Sequence, residues 1–118
     1  MGLERNNFKM GTVEMLVLSL LSQKDLYGYE ISLLLKDLSD GAFTVPEGSL
    51  YPVLYKLEDK QYITARSIKV GKRKIRKYYH IEDTGRDRLN ALLTEYCIIA
   101  DSIDTILGAK IADDEEDT

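Results

Sequence analysis

Residues 62–81, YITARSIKVGKRKIRKYYHI, decide how the rest of the chain is read. They divide into two strand-like runs, Tyr62 to Ile68 and Ile75 to Ile81, about a turn at Gly71. Period-two alternation is clearest in Ile75, Lys77, Tyr79 and Ile81. Arg66, Lys69, Lys72, Arg73, Lys74, Arg76 and Lys77 place seven of the chain's 16 basic residues on this hairpin, with no acidic residue between Arg66 and Lys77. The chain as a whole has 20 acidic residues and a formal net charge of −4. A basic finger on an acidic body calls for a polyanion that the finger alone reaches. Double-stranded DNA, with one charge per ~1.7 Å of axis, rewards such clustering by releasing counterions.

The segments before the hairpin carry helical spacing. Met10, Val13, Leu16, Val17, Leu20 and Leu21 predict a first helix over 10–22, and Met15 and Leu18 widen its apolar surface to more than one face. A polar break at 23–26 leads to a second helix from about Tyr27 to Leu38, with Ile31, Leu34, Leu35 and Leu38 inward. Ser39-Asp40-Gly41 ends it, with Gly41 as the left-handed terminator. A loop with Pro46 opens a third helix, about Glu47 to Lys60, buried through Leu50, Val53, Leu54 and Leu57. Three helices followed by a basic hairpin is the order of a winged helix-turn-helix, a mainly α fold in which the third helix enters the major groove.

The last predicted helix, about Thr84 to Leu107, has a seam: Leu89, Leu92, Tyr96, Ile99, Ile103 and Ile106 alternate at spacings of three and four. So small a core cannot cover so long a stripe. The expectation is a C-terminal dimerisation helix (83–108) following a DNA-binding domain (10–82), with Leu89, Leu93, Ile103 and Ile106 at the dimer interface. Asp113 to Asp117 are five consecutive carboxylates, so 109–118 reads as an acidic, disordered tail. The 118 residues suit one domain. The longest apolar stretch, Met15 to Leu21 interrupted by Ser19, is far short of the ~20 residues of a membrane span, and no signal-peptide pattern opens the chain. Cys97 is the one cysteine, so an intrachain disulfide is excluded and a cytoplasmic location fits.

Several stretches resemble the PadR family of bacterial transcriptional regulators. Tyr27-Gly28-Tyr29-Glu30-Ile31 is similar to that family's second-helix start, usually His-Gly-Tyr-Glu-Ile. Gly48-Ser49-Leu50-Tyr51-Pro52, with Leu54 and Leu57-Glu58, resembles its recognition-helix signature. Arg76-Lys77-Tyr78-Tyr79 resembles its second wing strand, and Gly85 its dimer-helix start. The likeness spans about residues 10–107 and implies a repressor that binds DNA as a homodimer and dissociates when a small aromatic or hydrophobic effector binds. The implied effector pocket lies near Val13, Leu92, Tyr96 and Ile99. Two departures stand out. His80-Ile81-Glu82 replaces the usual Arg-Leu-Thr, so Asp83 is expected to cap the last helix. The tryptophan of the best-known drug-sensing members is absent, and Tyr96 stands in its place.

Expected DNA contacts are Tyr27, Ser49, Tyr51, Lys56, Lys72, Arg73, Lys74 and Arg76. The plainer readings are a cap for Ser49, core packing for Tyr51 and solvated surface for Lys56. Tyr29 reads as a core aromatic, Glu30 as a brace for the turn, and Cys97 as buried filler. One of Tyr78 and Tyr79 should pack beneath the wing. His80 lacks partners at ligand spacing for a metal, and no cofactor is implied. No phosphate loop or nucleophile–base set suggests an enzyme. The competing class is a winged-helix protein-interaction module that has lost DNA binding, which the acidic net charge would suit.

Overall fold

The computed structural model describes residues 2–112, with side chains from residue 12 onward. Four helices, α1 (Gly2–Leu21), α2 (Gly28–Leu38), α3 (Glu47–Asp59) and α4 (Asp83–Gly108), surround a small sheet of β1 (Leu26–Tyr27), β2 (Ile63–Val70) and β3 (Lys74–Ile81). The antiparallel sheet has the order β1-β3-β2. This is the winged helix-turn-helix that the segment order predicts.

The core collects one apolar face from every element: Val17, Leu18 and Leu21 of α1, Ile31 and Leu35 of α2, Leu50, Leu54 and Leu57 of α3, and Ile63, Tyr79 and Ile81 of the sheet. The three α3 leucines are 0–1% exposed. At ~1.5–3 kcal/mol for each fully buried leucine, they anchor the helix and leave its other face outward.

The turns that end α2 and α3 each place a non-glycine residue in the left-handed region. After α2, the Gly41 N–H donates to Lys36 O (2.8 Å) and the Asp40 N–H to Asp37 O (3.3 Å), with Asp40 at φ 53° and Gly41 at φ 86°. The left-handed turn expected at Gly41 thus begins one residue earlier. After α3, the Tyr62 N–H donates to Leu57 O and the Gln61 N–H to Glu58 O (both 3.0 Å), with Gln61 at φ 65°. This turn sends the chain from α3 straight into the wing. Between α2 and α3 the loop is held by side chains. The Ser32 hydroxyl donates to Val45 O (2.8 Å), and Ser39 Oγ accepts from the Phe43 N–H (2.8 Å).

Several local expectations change. α1 begins at Gly2, not residue 10, because the reading followed apolar periodicity, which starts at Met10, and no proline stops the helix running back through polar residues. Leu26 and Tyr27, expected as the end of a polar break and the start of a helix, form a strand paired with Tyr79 and Tyr78. The N-cap of α4 is Glu82, not Asp83, which is the first helical residue. Glu82 Oε2 accepts from the Thr64 hydroxyl (2.7 Å) and its N–H donates to Tyr62 O (2.9 Å). The tail's carboxylates, Asp113 to Asp117, lie outside the described residues.

Gly85 sets how closely α4 docks on the wing base. A Cβ there would overlap the Tyr62 carbonyl and come within 2.8 Å of Ile81 Cγ1. Backbone cannot swing aside as a side chain can. Gly85→Ala should therefore lower stability by about 1–3 kcal/mol in urea unfolding, despite alanine's higher helix propensity. An unchanged or raised midpoint would contradict this packing.

Candidate nucleic-acid interface

A groove of about 510 Å³ is formed by Tyr27 of β1, the start of α2 (Gly28, Tyr29), the start of α3 (Glu47, Tyr51) and β3 (Lys74 to Lys77). Its floor depends on Gly28, which is buried. A Cβ at position 28 would lie 2.6 Å from Tyr51 Oη and 2.9 Å from Cζ, so the tyrosine lies across the glycine. Burial, then the charge of Glu47, raises the Tyr51 pKa above its ordinary value, so the phenol remains a proton donor. Tyr51 stacks at a tilt on Tyr55, with ring centroids 6.1 Å apart.

α3 presents its N-terminus outward. Its N-cap is Pro46, whose carbonyl accepts from the N–H groups of Ser49 (2.9 Å) and Leu50 (3.0 Å), so Ser49's side chain is not the cap. Gly48, Ser49 and Lys56 are exposed. An uncovered helix N-terminus offers N–H groups to an anion. Pro52 is the sixth residue of α3, beyond its first turn, and has no N–H to give the Gly48 carbonyl, so that rung of the ladder is missing.

The wing is cationic and mostly unpaired. Arg66 Nη1 lies 2.8 Å from Asp25 Oδ2, and Lys77 Nζ lies 3.4 Å from Glu58 Oε1. The other five cations of the cluster, Lys69, Lys72, Arg73, Lys74 and Arg76, form no ion pair among the described residues. Lys72 and Arg73 occupy the turn after Gly71 (φ 76°), at the exposed tip. Asp25 also accepts from His80 Nδ1 at 2.7 Å, and that bond, with Arg66's, holds its carboxyl below the ordinary value. His80 and Arg66 thereby tie the wing base to the turn before β1.

The two tyrosines of β3 separate cleanly. Tyr79 is fully buried against the core and burial pushes its pKa up to about 12; Tyr78 is half-buried on the opposite face, edge-on to Tyr27. Glu30 braces the turn as expected, its Oε1 accepting from the Tyr27 N–H at 3.2 Å. Tyr29 is not a core residue: it is 56% exposed and lines the groove. Its position off the Ile31–Leu35 stripe was the available signal. Glu47, also in the groove, is not among the contacts expected from the sequence.

The α4 face is apolar and open. Leu93 is 40% exposed, Tyr96 52%, Ile99 49%, Ile103 48% and Ile106 72% in the single chain. Leu89, expected at the dimer interface, is 7% exposed and belongs to the chain's own core, as does Val13 at 6%. Leu92 is partly buried against that core. Val13, Leu92, Tyr96 and Ile99 thus run from core to open surface. Cys97 is exposed, not buried filler. Arg88 bonds Glu14 through Nε (3.1 Å) and Nη2 (3.4 Å), fixing α4 to α1. A separate apolar depression of about 340 Å³ lies between α1 and α2, lined by Leu16, Leu20, Leu34, Leu38 and Phe43 among others.

A helix-turn-helix whose exposed α3 N-terminus stands beside a largely unpaired cationic hairpin defines a winged helix-turn-helix protein. The chain belongs to the transcriptional regulator PadR-like family, whose family model matches residues 17–91. It is 33% identical over 103 residues to "Uncharacterized protein X" of Lysinibacillus sphaericus, covering 87% of this chain and 94% of that one. A PadR family transcription regulator from Clostridium difficile R20291 superposes with a TM-score of 0.72 at 30% identity, over 82% of this chain and 99% of that one. The negative transcriptional regulator PadR of Bacillus subtilis is 28% identical over 94 residues, 80% of this chain and 52% of its own length. Its crystal structure in complex with operator DNA superposes with a TM-score of 0.65 at 29% identity, over 70% of this chain and 45% of that chain.

Proposed function

We propose that this chain is a cytoplasmic, sequence-specific DNA-binding repressor that acts as a homodimer and is released from its operator by a small aromatic or hydrophobic effector. The observation that carries the DNA reading is the groove, where the α3 N-terminus, Tyr51, Lys74 and Arg76 converge without carboxylate partners for the two cations. In this reading α3 enters the major groove with Ser49, Tyr51 and Lys56, while Lys72, Arg73 and Lys74 follow the flanking backbone. Arg76, lying over the Tyr27 ring, completes the contact surface.

The dimer reading is supported by the open apolar face of α4, and repression by the negative-regulator relative. Two copies joined through α4 present two recognition helices to half-sites about one helical turn (~34 Å) apart. The effector would occupy the space between the two α4 helices and α1, near Val13, Leu92, Tyr96 and Ile99. It would favour a dimer whose recognition helices are wrongly spaced for the operator. Transcription of the neighbouring gene in vitro, with and without the protein, tests this, and fewer transcripts are expected with it. Unchanged or increased synthesis would remove repression.

Gly28→Ala separates the interface from the fold. The new methyl displaces the far end of a side chain, Tyr51, rather than backbone. The variant should stay folded and lose about 5- to 10-fold in DNA affinity, the scale of one hydrogen bond. Wild-type affinity in a titration would show that Tyr51 does not depend on this packing.

A further inference from the structure

Arg76 is half-buried, makes no ion pair among the described residues, and lines the groove. Its Cζ lies 4.3 Å from the centroid of the Tyr27 ring. Tyr27 is itself fixed from two sides. Its ring meets Tyr78 edge-on, with centroids 5.4 Å apart and planes at 69°. Its backbone pairs with Tyr78 in the β1–β3 register, and its N–H donates to Glu30 Oε1. The two-residue strand β1 thus delivers an aromatic face to the one wing arginine that lies in the groove.

Resting on the nucleic-acid reading, we propose that Tyr27 is a positioning residue: its ring holds the Arg76 guanidinium in the orientation that grips a DNA phosphate. A guanidinium stacked on a ring keeps its N–H donors in its own plane, where they can form two parallel bonds to a phosphate. The stack restricts a long side chain before DNA arrives, so less conformational freedom is lost on binding. A lysine at 76 would retain the charge but not the planar fork. The tyrosine acts through its face, and its hydroxyl is dispensable.

The test compares the full-length wild type with Tyr27→Phe, Tyr27→Leu, Arg76→Lys and the Tyr27→Leu/Arg76→Lys pair. Binding is titrated against a duplex from upstream of the protein's own gene and a random-sequence duplex. Tyr27→Phe should match the wild type on both, while Tyr27→Leu should lose about 2- to 30-fold on both, the range of a cation–π contact. The double variant should bind no more weakly than Arg76→Lys alone. Without DNA, ring-current shifts of the Arg76 side-chain resonances should persist in Tyr27→Phe and vanish in Tyr27→Leu. Equal loss in Tyr27→Phe and Tyr27→Leu would assign the contact to the hydroxyl and overturn the proposal. So would additive losses in the double variant, or Tyr27→Leu binding as the wild type does. If the wild type bound neither duplex at low salt, the nucleic-acid reading itself would fall, and the assignment with it.

Discussion

Replacing Lys72, Arg73 and Lys74 together by glutamine is expected to weaken DNA binding on the order of 100-fold at 0.15 M salt, almost independently of sequence. The three cations lie at and beside the wing tip, exposed and without ion pairs among the described residues. Their removal deprives the fold of no ion pair described here. Each phosphate contact adds roughly 0.9 to the slope of log affinity against log salt, so the triple variant should lose about 2.7 from that slope. Affinity ratios among operator variants should change little, because phosphate contacts position and do not specify. A large loss on one sequence alone would instead make the wing a reader of bases. Unchanged unfolding by urea would confirm that the effect lies in binding.

Ile103→Asp is expected to raise the dissociation constant of the proposed dimer on the order of 100-fold or more while leaving the folded monomer intact. Ile103 is 48% exposed in the single chain, with Ile99 (49%) one turn before it and Ile106 (72%) after it. In a two-fold dimer each substitution enters twice, and each buried carboxylate costs several kcal/mol unless it takes up a proton. Helical content should persist, since the side chain is not part of the core of one chain. Sedimentation across a concentration series reads the outcome, and binding to a two-half-site duplex should fall with it. An unchanged mass would move the dimer interface away from α4.

How far the sequence revealed this molecule varies by element, for physical reasons. The hairpin, α3 and α4 were legible because each has a sustained period: two in β3, and three-to-four through Leu50, Leu54 and Leu57 or through the α4 seam. β1 was not, because two residues hold no period and exist as a strand only through β3. The cationic wing was visible from charge alone, but not that Arg66 and Lys77 are occupied by Asp25 and Glu58, which are 41 and 19 positions away. The arrangement of Tyr27, Arg76 and Tyr78 depends on the same long-range pairing. Leu89 was misassigned because a heptad stripe does not say where the chain's own core stops and a partner's surface starts.

The DNA-binding reading stands on a groove and a wing whose cations, Arg66 and Lys77 apart, form no ion pair among the described residues. Its most direct test is the binding isotherm of the full chain on the duplex upstream of its own gene, against a random duplex, repeated across salt. Tighter binding to the upstream duplex is expected, with steep weakening by salt on both. Absence of binding to either duplex at low salt would contradict it and favour a winged-helix module for a protein partner.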